Sequence, residues 1–194
     1  MIENNEITVK VTVPMEKLEE ELIKKGFEFC NKYKHIDIFL IPKRVDLKNN
    51  ARNMLKEAII LREGIGISSN RNSKKITFKI KDIDNLGNIV SQSAIKCKIE
   101  SIEDAKKLFE TIGYKELMKL EEIHSTYEYH NFKLILKEMK NKQILIEIET
   151  NKYYKTINEL KEKLIDLELP IDKSNYFVKK AEEELKKLIA RGEV

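Results

Sequence analysis

The sequence predicts an α+β protein built on an eight-stranded antiparallel sheet that curls into a barrel or tunnel, with helices flanking it. Two observations lead to this prediction. Several short segments alternate between apolar and polar residues, which is the period of a half-buried strand. The order of one strand, one helix and three strands also occurs twice, without sequence identity between the halves. Amphipathic, mostly antiparallel strands in this number are typical of a closed or nearly closed barrel.

The composition is that of a folded protein. The chain has 194 residues, of which 41% are hydrophobic and 36% charged, enough for one sizeable core and short for two full domains. We therefore expect one domain over 1–194, with a helical C-terminal extension over about 155–194. No apolar run approaches the roughly 18 residues of a membrane span. The polar N-terminus and the two cysteines indicate neither a secretory signal nor a disulfide framework, so we expect a reduced, cytoplasmic protein.

The first half begins with the alternating segment 6–13, a strand that places Glu6, Thr8 and Lys10 on one face. A helix follows from Pro14 to Gly26. Strands are expected over 35–41 and 75–81. The segment 57–63 is either a third strand or a helix end that runs into one. A turn is expected over 85–88.

The second half repeats the order. A strand over 94–99 precedes a helix that Ser101 caps and Gly113 ends, and strands follow over 117–127, 132–139 and 144–149, with a hairpin turn at 130–131. In the tail, a capping box of Thr156 and Glu159 begins one helix, and Ser174 is expected to cap the last.

The polar faces of several strands carry dense charge of both signs. Such a face is either the outer surface or the lining of a wet tunnel whose apolar outer face is covered by helices, and the pattern is compatible with both.

Three glutamates form a candidate metal site. Glu147 and Glu149 share one strand face about 7 Å apart, and two neighbouring carboxylates repel unless a cation lies between them. With Glu6 they make an oxygen-only site suited to Mg²⁺ or Mn²⁺. The alternative is an exposed strand face whose glutamates pair with cross-strand lysines.

The sequence resembles the CYTH family, also called triphosphate tunnel metalloenzymes, and within it the class IV adenylate cyclases. The family pattern opens with E-x-E-x-K on the first strand, and this chain has Glu6-Ile7-Thr8-Val9-Lys10. The later matches are the segments 37–40, 44–46, 58–62, 77–79 and 174–176, with Pro42, Lys119, Glu147 and Glu149. Their order and spacing span almost the whole chain.

The resemblance implies an eight-stranded tunnel in which cations hold a triphosphate and carboxylates hold a divalent metal. By matching position, it implies that Glu6, Glu147 and Glu149 are catalytic metal ligands. The residues expected to grip phosphates are Lys10, Arg62, Lys79, Lys81, Lys119 and Lys137. The implied cofactor is Mg²⁺ or Mn²⁺, and a homodimer is also expected.

Several positions depart from the family pattern. The second glutamate of the first motif is Thr8, an arginine is replaced by Ile60, and a metal-binding aspartate by Lys137. Lysine cannot replace that aspartate as a ligand at neutral pH. Where the family has another arginine, the chain has Glu121, so we hypothesise that Glu121 and Lys137 form an ion pair with its ends exchanged. Ala94 and Lys96 stand where the acidic strand before the middle helix is expected.

Two classes of function follow. The first is a metal-dependent enzyme on a triphosphate, either a cyclase that converts ATP to cyclic AMP and pyrophosphate or an inorganic or nucleoside triphosphatase. The second is a degenerate tunnel that binds a phosphorylated ligand without turnover. Nucleic-acid binding ranks last, because the net charge is only +4 and no aromatic residues alternate with the lysines. His35, His124 and His130 are expected at the surface or in turns, and Cys30 and Cys97 in the core.

Overall fold

The computed structural model describes residues 5–48, 50–83 and 89–194, with backbone only for 81–83 and 89–93. In this part of the chain eight antiparallel strands form one sheet. The strands are β1 (Glu6–Lys10), β2 (Glu28–Pro42), β3 (Ile59–Gly66), β4 (Asn72–Ile83), β5 (Ile89–Lys98), β6 (Tyr114–Tyr129), β7 (Phe132–Met139) and β8 (Ile144–Glu149). The helices are α1 (Met15–Lys24), α2 (Ala51–Lys56), α3 (Ile102–Thr111), α4 (Ile157–Asp166) and α5 (Lys180–Ala190).

The order of the strands in the sheet is β1-β8-β7-β6-β2-β3-β4-β5. Each half of the chain supplies one strand, one helix and three strands, as predicted, and α2 is an additional short helix between β2 and β3. Hydrogen bonds do not close the described sheet, whose edges are β1 and β5. The sheet is therefore curled and tunnel-like rather than a hydrogen-bonded barrel.

The helices cover the sheet through three groups of buried apolar residues. Helices α1 and α4 pack Leu18, Leu22 and Leu160 against the apolar faces of β1, β7 and β8. Helix α3 packs Ile102 and Ala105 on β2 and β3. These contacts leave the polar faces of the same strands turned to the inside of the curl, because successive strand side chains alternate between faces.

Helices α2 and α5 lie on the opposite, concave face. Met54 of α2 and Leu185 of α5 pack with Phe39, Ile60 and Leu120. These three strand residues alternate with outward-facing neighbours, so they share the inner face of the sheet. The two helices therefore cover one part of the concave face.

The start of α5 differs from the prediction. Ser174 bonds to Asp172 at 2.6 Å, and the helix begins only at Lys180. Before the helix, the chain runs along β1, where Thr8 exchanges backbone hydrogen bonds with Tyr176 and Val178. The segment is extended because its backbone groups satisfy the free edge of β1.

The other predicted caps are confirmed. The Ser101 side chain accepts from the Asp104 N–H at 3.1 Å, and Thr156 and Glu159 form the capping box. His130 has a φ of 50° in the hairpin turn between β6 and β7. The turn predicted over 85–88 lies outside the described residues.

The prediction of buried cysteines was wrong. Cys30 and Cys97 are both exposed. Cys30 occupies an irregularity in the pairing of β2 with β6, and Cys97 lies on the sparsely covered edge strand β5. Among the described residues, no helix is both long and apolar enough to span a membrane.

Candidate functional site

Charged side chains from most of the strands meet on the concave face, which we call the channel. The pairing register of the strands places these side chains on one face, because directly paired residues of antiparallel strands point to the same side. The pairs run from strand to strand as Glu6–Glu149, Thr8–Glu147, His124–Lys137, Asp37–Arg62, Arg62–Lys75, Thr77–Lys96 and Lys75–Lys98. The charged lining predicted as one of two possibilities is thus the observed one.

Three carboxylates converge at one side of the channel. Oxygen atoms of Glu6, Glu147 and Glu149 lie within 4.8 Å of one another. Loss of hydration and the negative charges of Glu147 and Glu6 raise the pKa of Glu149 above its ordinary value. We call these residues the acidic cluster. Their oxygen atoms are the ligand type that Mg²⁺ and Mn²⁺ prefer.

Lys137 lies inside this cluster. Its ammonium forms an ion pair with Glu147, and only 4% and 10% of the two side chains are exposed. Burial opposes ionisation of both groups, but their mutual attraction prevails. It raises the pKa of Lys137 to about 12 and holds the pKa of Glu147 well below its ordinary value. The donor set therefore fits a divalent cation at Glu6 and Glu149, whereas one oxygen of Glu147 is already engaged.

A second ion pair closes the neighbouring part of the channel. Asp37 and Arg62, paired across β2 and β3, are joined by two side-chain hydrogen bonds. Burial alone would raise the pKa of Asp37, but the hydrogen bonds and charge of Arg62 lower it. These two hydrogen bonds hold the Arg62 guanidinium against the side of the channel.

A third group joins β6 to the C-terminal helix. The Nζ atom of Lys180, at the start of α5, lies 2.6 Å from the Glu122 carboxylate, and Nε2 of His124 also lies 2.6 Å from that carboxylate. Burial and the nearby charge of Lys137 lower the pKa of Lys180 to about 8. Helix α5 thus places a cation inside the channel.

The surface placement predicted for the histidines was wrong for His124. Only 7% of His124 is exposed, and its ring stacks on His35 with centroids 4.2 Å apart. Burial lowers the pKa of His124 to about 4 and that of His35 to about 3, so both rings are neutral at neutral pH. Each ring is two residues from an inner-face carboxylate, His124 from Glu122 and His35 from Asp37, so both rings share the inner face. His130 lies exposed in the hairpin turn.

The wall opposite the acidic cluster is basic. The Nζ atom of Lys79 lies 3.6 Å from Oε1 of Glu6. Burial and repulsion by Arg62 and Lys96 lower the pKa of Lys75. Within the described part of the chain, Lys75 and Lys96 have no carboxylate in ion-pair contact. Lys75 and Lys96 therefore place positive charge on this wall that no carboxylate of the described residues contacts directly.

The structure brings together most of the predicted site residues. Glu6, Glu147, Glu149, Arg62, Lys79 and Lys137 all reach the concave face. Lys10 shares the face of Glu6 but is exposed at the end of β1, where its carbonyl accepts from the Asp172 N–H. The side chain of Lys81 lies outside the described residues.

Lys119 is not part of the site. It alternates with Leu120 and Glu122 on β6, so it points away from the channel, where its Nζ atom lies 3.2 Å from Glu121. Glu121 also pairs with Lys34 at 3.0 Å on this outer face. The hypothesis that Glu121 and Lys137 pair with each other is therefore wrong, because the two residues lie on opposite faces.

Sequence reasoning missed part of the lining. Lys180 lies in the last predicted helix, and no local pattern shows that its side chain enters the channel. The sequence does contain a signal for Glu122 and His124. They follow Leu120 at intervals of two residues in β6, so the three side chains share one face of the strand.

Comparisons with known proteins support the same fold. No protein-family model matches the chain. A proposed adenylate cyclase of Methanocaldococcus jannaschii is 26% identical over 145 residues, which cover 74% of this chain and 75% of that protein.

Solved structures match over nearly the whole chain. The PH1819 protein of Pyrococcus horikoshii has a TM-score of 0.67 and 22% identity, covering 94% of this chain and 99% of its own. A proposed adenylate cyclase of Vibrio parahaemolyticus has a TM-score of 0.57 and 12% identity, with coverage of 95% and 98%. A Hippeastrum protein, described as a proposed adenylyl cyclase with a dominant triphosphatase activity, has a TM-score of 0.55 and 12% identity, with coverage of 98% and 96%.

Proposed function

We infer a CYTH-type function for this chain, because it resembles the CYTH family in sequence and in fold. We propose that the protein binds the phosphate chain of a nucleoside triphosphate or polyphosphate in the channel and acts on it as an adenylate cyclase-like enzyme. The observation that carries this proposal is the basic wall of Lys75, Lys79 and Lys96 opposite the acidic cluster.

Electrostatics favours a phosphate chain as the ligand. A triphosphate carries about four negative charges and needs several cations in a confined space. Burial and then repulsion by Arg62 and Lys96 lower the pKa of Lys75, and an anion placed among these cations would relieve the repulsion. Lys79 belongs to this wall and also contacts Glu6, so it can contact a phosphate near the acidic cluster.

The acidic cluster is the proposed binding site of a divalent cation. Glu6 and Glu149, with the remaining oxygen of Glu147, would hold Mg²⁺ or Mn²⁺. When bound, such an ion neutralises charge that develops on phosphate oxygens during phosphoryl or nucleotidyl transfer.

The cyclase reaction is supported by the name of the M. jannaschii relative. In that reaction the 3′-hydroxyl of ATP loses its proton and attacks the α-phosphorus, and pyrophosphate leaves. The channel residues would hold the phosphates in line with that attack. The Hippeastrum neighbour favours the triphosphatase version, in which water attacks the terminal phosphate. Both reactions use the same basic wall.

One observation favours binding without turnover. Lys137 places a positive charge in the acidic cluster and engages Glu147. If this pair prevents productive metal binding, the channel is a phosphate receptor and not an enzyme.

Product analysis tests the proposal. Purified protein is incubated with ATP or tripolyphosphate and Mg²⁺ or Mn²⁺, and the products are separated by chromatography, beside Glu149→Ala and the outer-face control Lys119→Ala. Cyclic AMP with pyrophosphate, abolished only by Glu149→Ala, would support the cyclase, and released phosphate the triphosphatase. No product, with the melting temperature still raised by tripolyphosphate, would mean a binding protein. No product and no thermal shift would contradict the proposal.

A further inference from the structure

We infer that the ammonium group of Lys137 is a built-in cation of the acidic cluster, so that the free protein holds divalent metal weakly and takes it up together with the phosphate chain. The second part of this inference rests on the proposed function, whereas the first part does not.

The position of Lys137 in the sheet places its ammonium group in the acidic cluster. Lys137 is paired with Leu145 on β8, and Glu147 is two residues further along the same strand, facing Ile135 of β7. The two side chains are thus diagonal neighbours on one face, within reach of a long side chain. Both are almost fully buried, so neither can turn to solvent and leave the other unpaired without a large cost.

The charge balance of the cluster follows from these contacts. Three carboxylates lie within 4.8 Å of one another, and two ammonium groups contact them, Lys137 at Glu147 and Lys79 at Glu6. The five groups leave a single net negative charge. An incoming divalent ion therefore meets weak attraction from the cluster as a whole and repulsion from two fixed cations.

A phosphate chain changes this balance. Its oxygens can bind Lys79 and supply ligands to the metal at Glu6 and Glu149, which are the carboxylates that Lys137 does not engage. Lys137 then remains on Glu147, where it keeps that carboxylate neutralised. Uptake of metal with the phosphates, rather than before them, is the consequence.

Manganese titration of the ligand-free protein tests the first part. The electron paramagnetic resonance signal of free Mn²⁺ is followed as protein is added, for wild type, Lys137→Gln, Lys137→Arg and the outer-face control Lys119→Gln. We expect Lys137→Gln to bind Mn²⁺ at least about tenfold more tightly than the other three proteins. Adding Glu149→Gln to Lys137→Gln should remove the gain. Equal affinity of wild type and Lys137→Gln would overturn the inference.

A second variant covers the possibility that Lys137→Gln does not fold, which circular dichroism would reveal. Lys79→Gln removes the other ammonium from a side chain that is 28% exposed. It should also tighten Mn²⁺ binding, by about threefold or more, through the same electrostatic effect. An unchanged affinity in Lys79→Gln would contradict the proposed charge balance.

Equilibrium dialysis tests the second part. Wild-type protein is dialysed against Mn²⁺ with and without α,β-methylene-ATP, which carries three phosphates and cannot be cyclised with release of pyrophosphate. Excess Mn²⁺ should stay with the protein only when the analogue is present. Retention without the analogue would overturn the inference. If the analogue itself is not retained, the proposed function fails, while the comparison of Lys137 variants still stands.

Discussion

The Nζ atom of Lys79 on β4 lies 3.6 Å from Oε1 of Glu6 on β1, although five strands separate β1 from β4 in the sheet. Contact between strands so far apart requires the sheet to curl until its two ends face each other. The same curl brings the basic wall opposite the acidic cluster. The function proposed for the channel depends on this arrangement.

Removal of Lys79 should weaken phosphate binding. We expect Lys79→Ala to reduce the affinity for tripolyphosphate by at least about tenfold, because one of the channel cations is lost. Isothermal titration calorimetry measures the effect. Lys119→Ala is the matched control, since it removes a lysine of the outer face. Similar losses in the two variants would mean that binding follows overall charge and not the channel.

The Asp37–Arg62 pair should contribute to folding. Asp37→Asn leaves the mostly buried Arg62 guanidinium without its carboxylate, and such a loss typically destabilises a protein by about 3–5 kcal/mol. Urea unfolding at pH 7 measures the free energy of unfolding. Glu57→Gln, which breaks the exposed pair with Arg44, serves as the comparison and should cause no measurable change. Equal effects would show that burial does not strengthen the inner pair.

Stability should fall as the pH drops from about 6.5 towards 4. The pKa of His124 is about 4 in the folded protein against 6.5 ordinarily, so in this window the unfolded chain binds the proton that the folded protein does not. The free energy of unfolding therefore decreases with falling pH, and the slope from one such histidine approaches about 1.4 kcal/mol per pH unit. His35, with a pKa of about 3, acts in the same direction.

Urea unfolding at a series of pH values measures this slope. His124→Gln should lower it, whereas His130→Gln should not, because His130 lies in an exposed turn. A wild-type protein whose stability is constant over this range would show that the ring of His124 is accessible to protons in the folded state.

Lys180 should control the titration of His124. The positive charge of Lys180 is one of the causes that lower the pKa of His124, after burial and Lys137. We expect the pKa of His124 to rise in Lys180→Met, as followed by NMR of the imidazole protons. Lys187→Met alters a partly exposed lysine of the same helix and should leave this titration unchanged. No change in Lys180→Met would place α5 outside the channel.

Much of the fold could be predicted from local pattern. Strand β8 was predicted with its observed limits because apolar residues and glutamates mark its register clearly, and the acidic cluster followed from Glu147 and Glu149. For 57–63 the sequence left open a strand or a helix end that runs into one, and the structure has β3 from Ile59 with α2 ending just before it, at Lys56, but helix α2 itself was not predicted. It has only six residues, too few to display a helical period, and it depends on the Asn50 side chain, which caps the Asn53 N–H.

The wrong predictions concern residues whose orientation or partner depends on tertiary contacts. In β6 both faces carry buried apolar residues, such as Leu117 and Met118, so alternation alone does not reveal that Lys119 points outward. The partner of Lys137 depends on how β7 and β8 lie side by side, and the entry of Lys180 into the channel depends on docking of α5. Neither can be deduced from spacing along one strand or helix.

Calorimetric titration of tripolyphosphate, without metal, into the wild-type protein and into Lys75→Ala/Lys96→Ala measures how strongly the basic wall binds a phosphate chain. If the basic wall receives the phosphate chain, the wild type should bind one tripolyphosphate per chain, and the double variant should lose at least about a hundredfold in affinity. Equal affinity in the two proteins, or no binding by the folded wild type, would contradict a phosphate-binding channel.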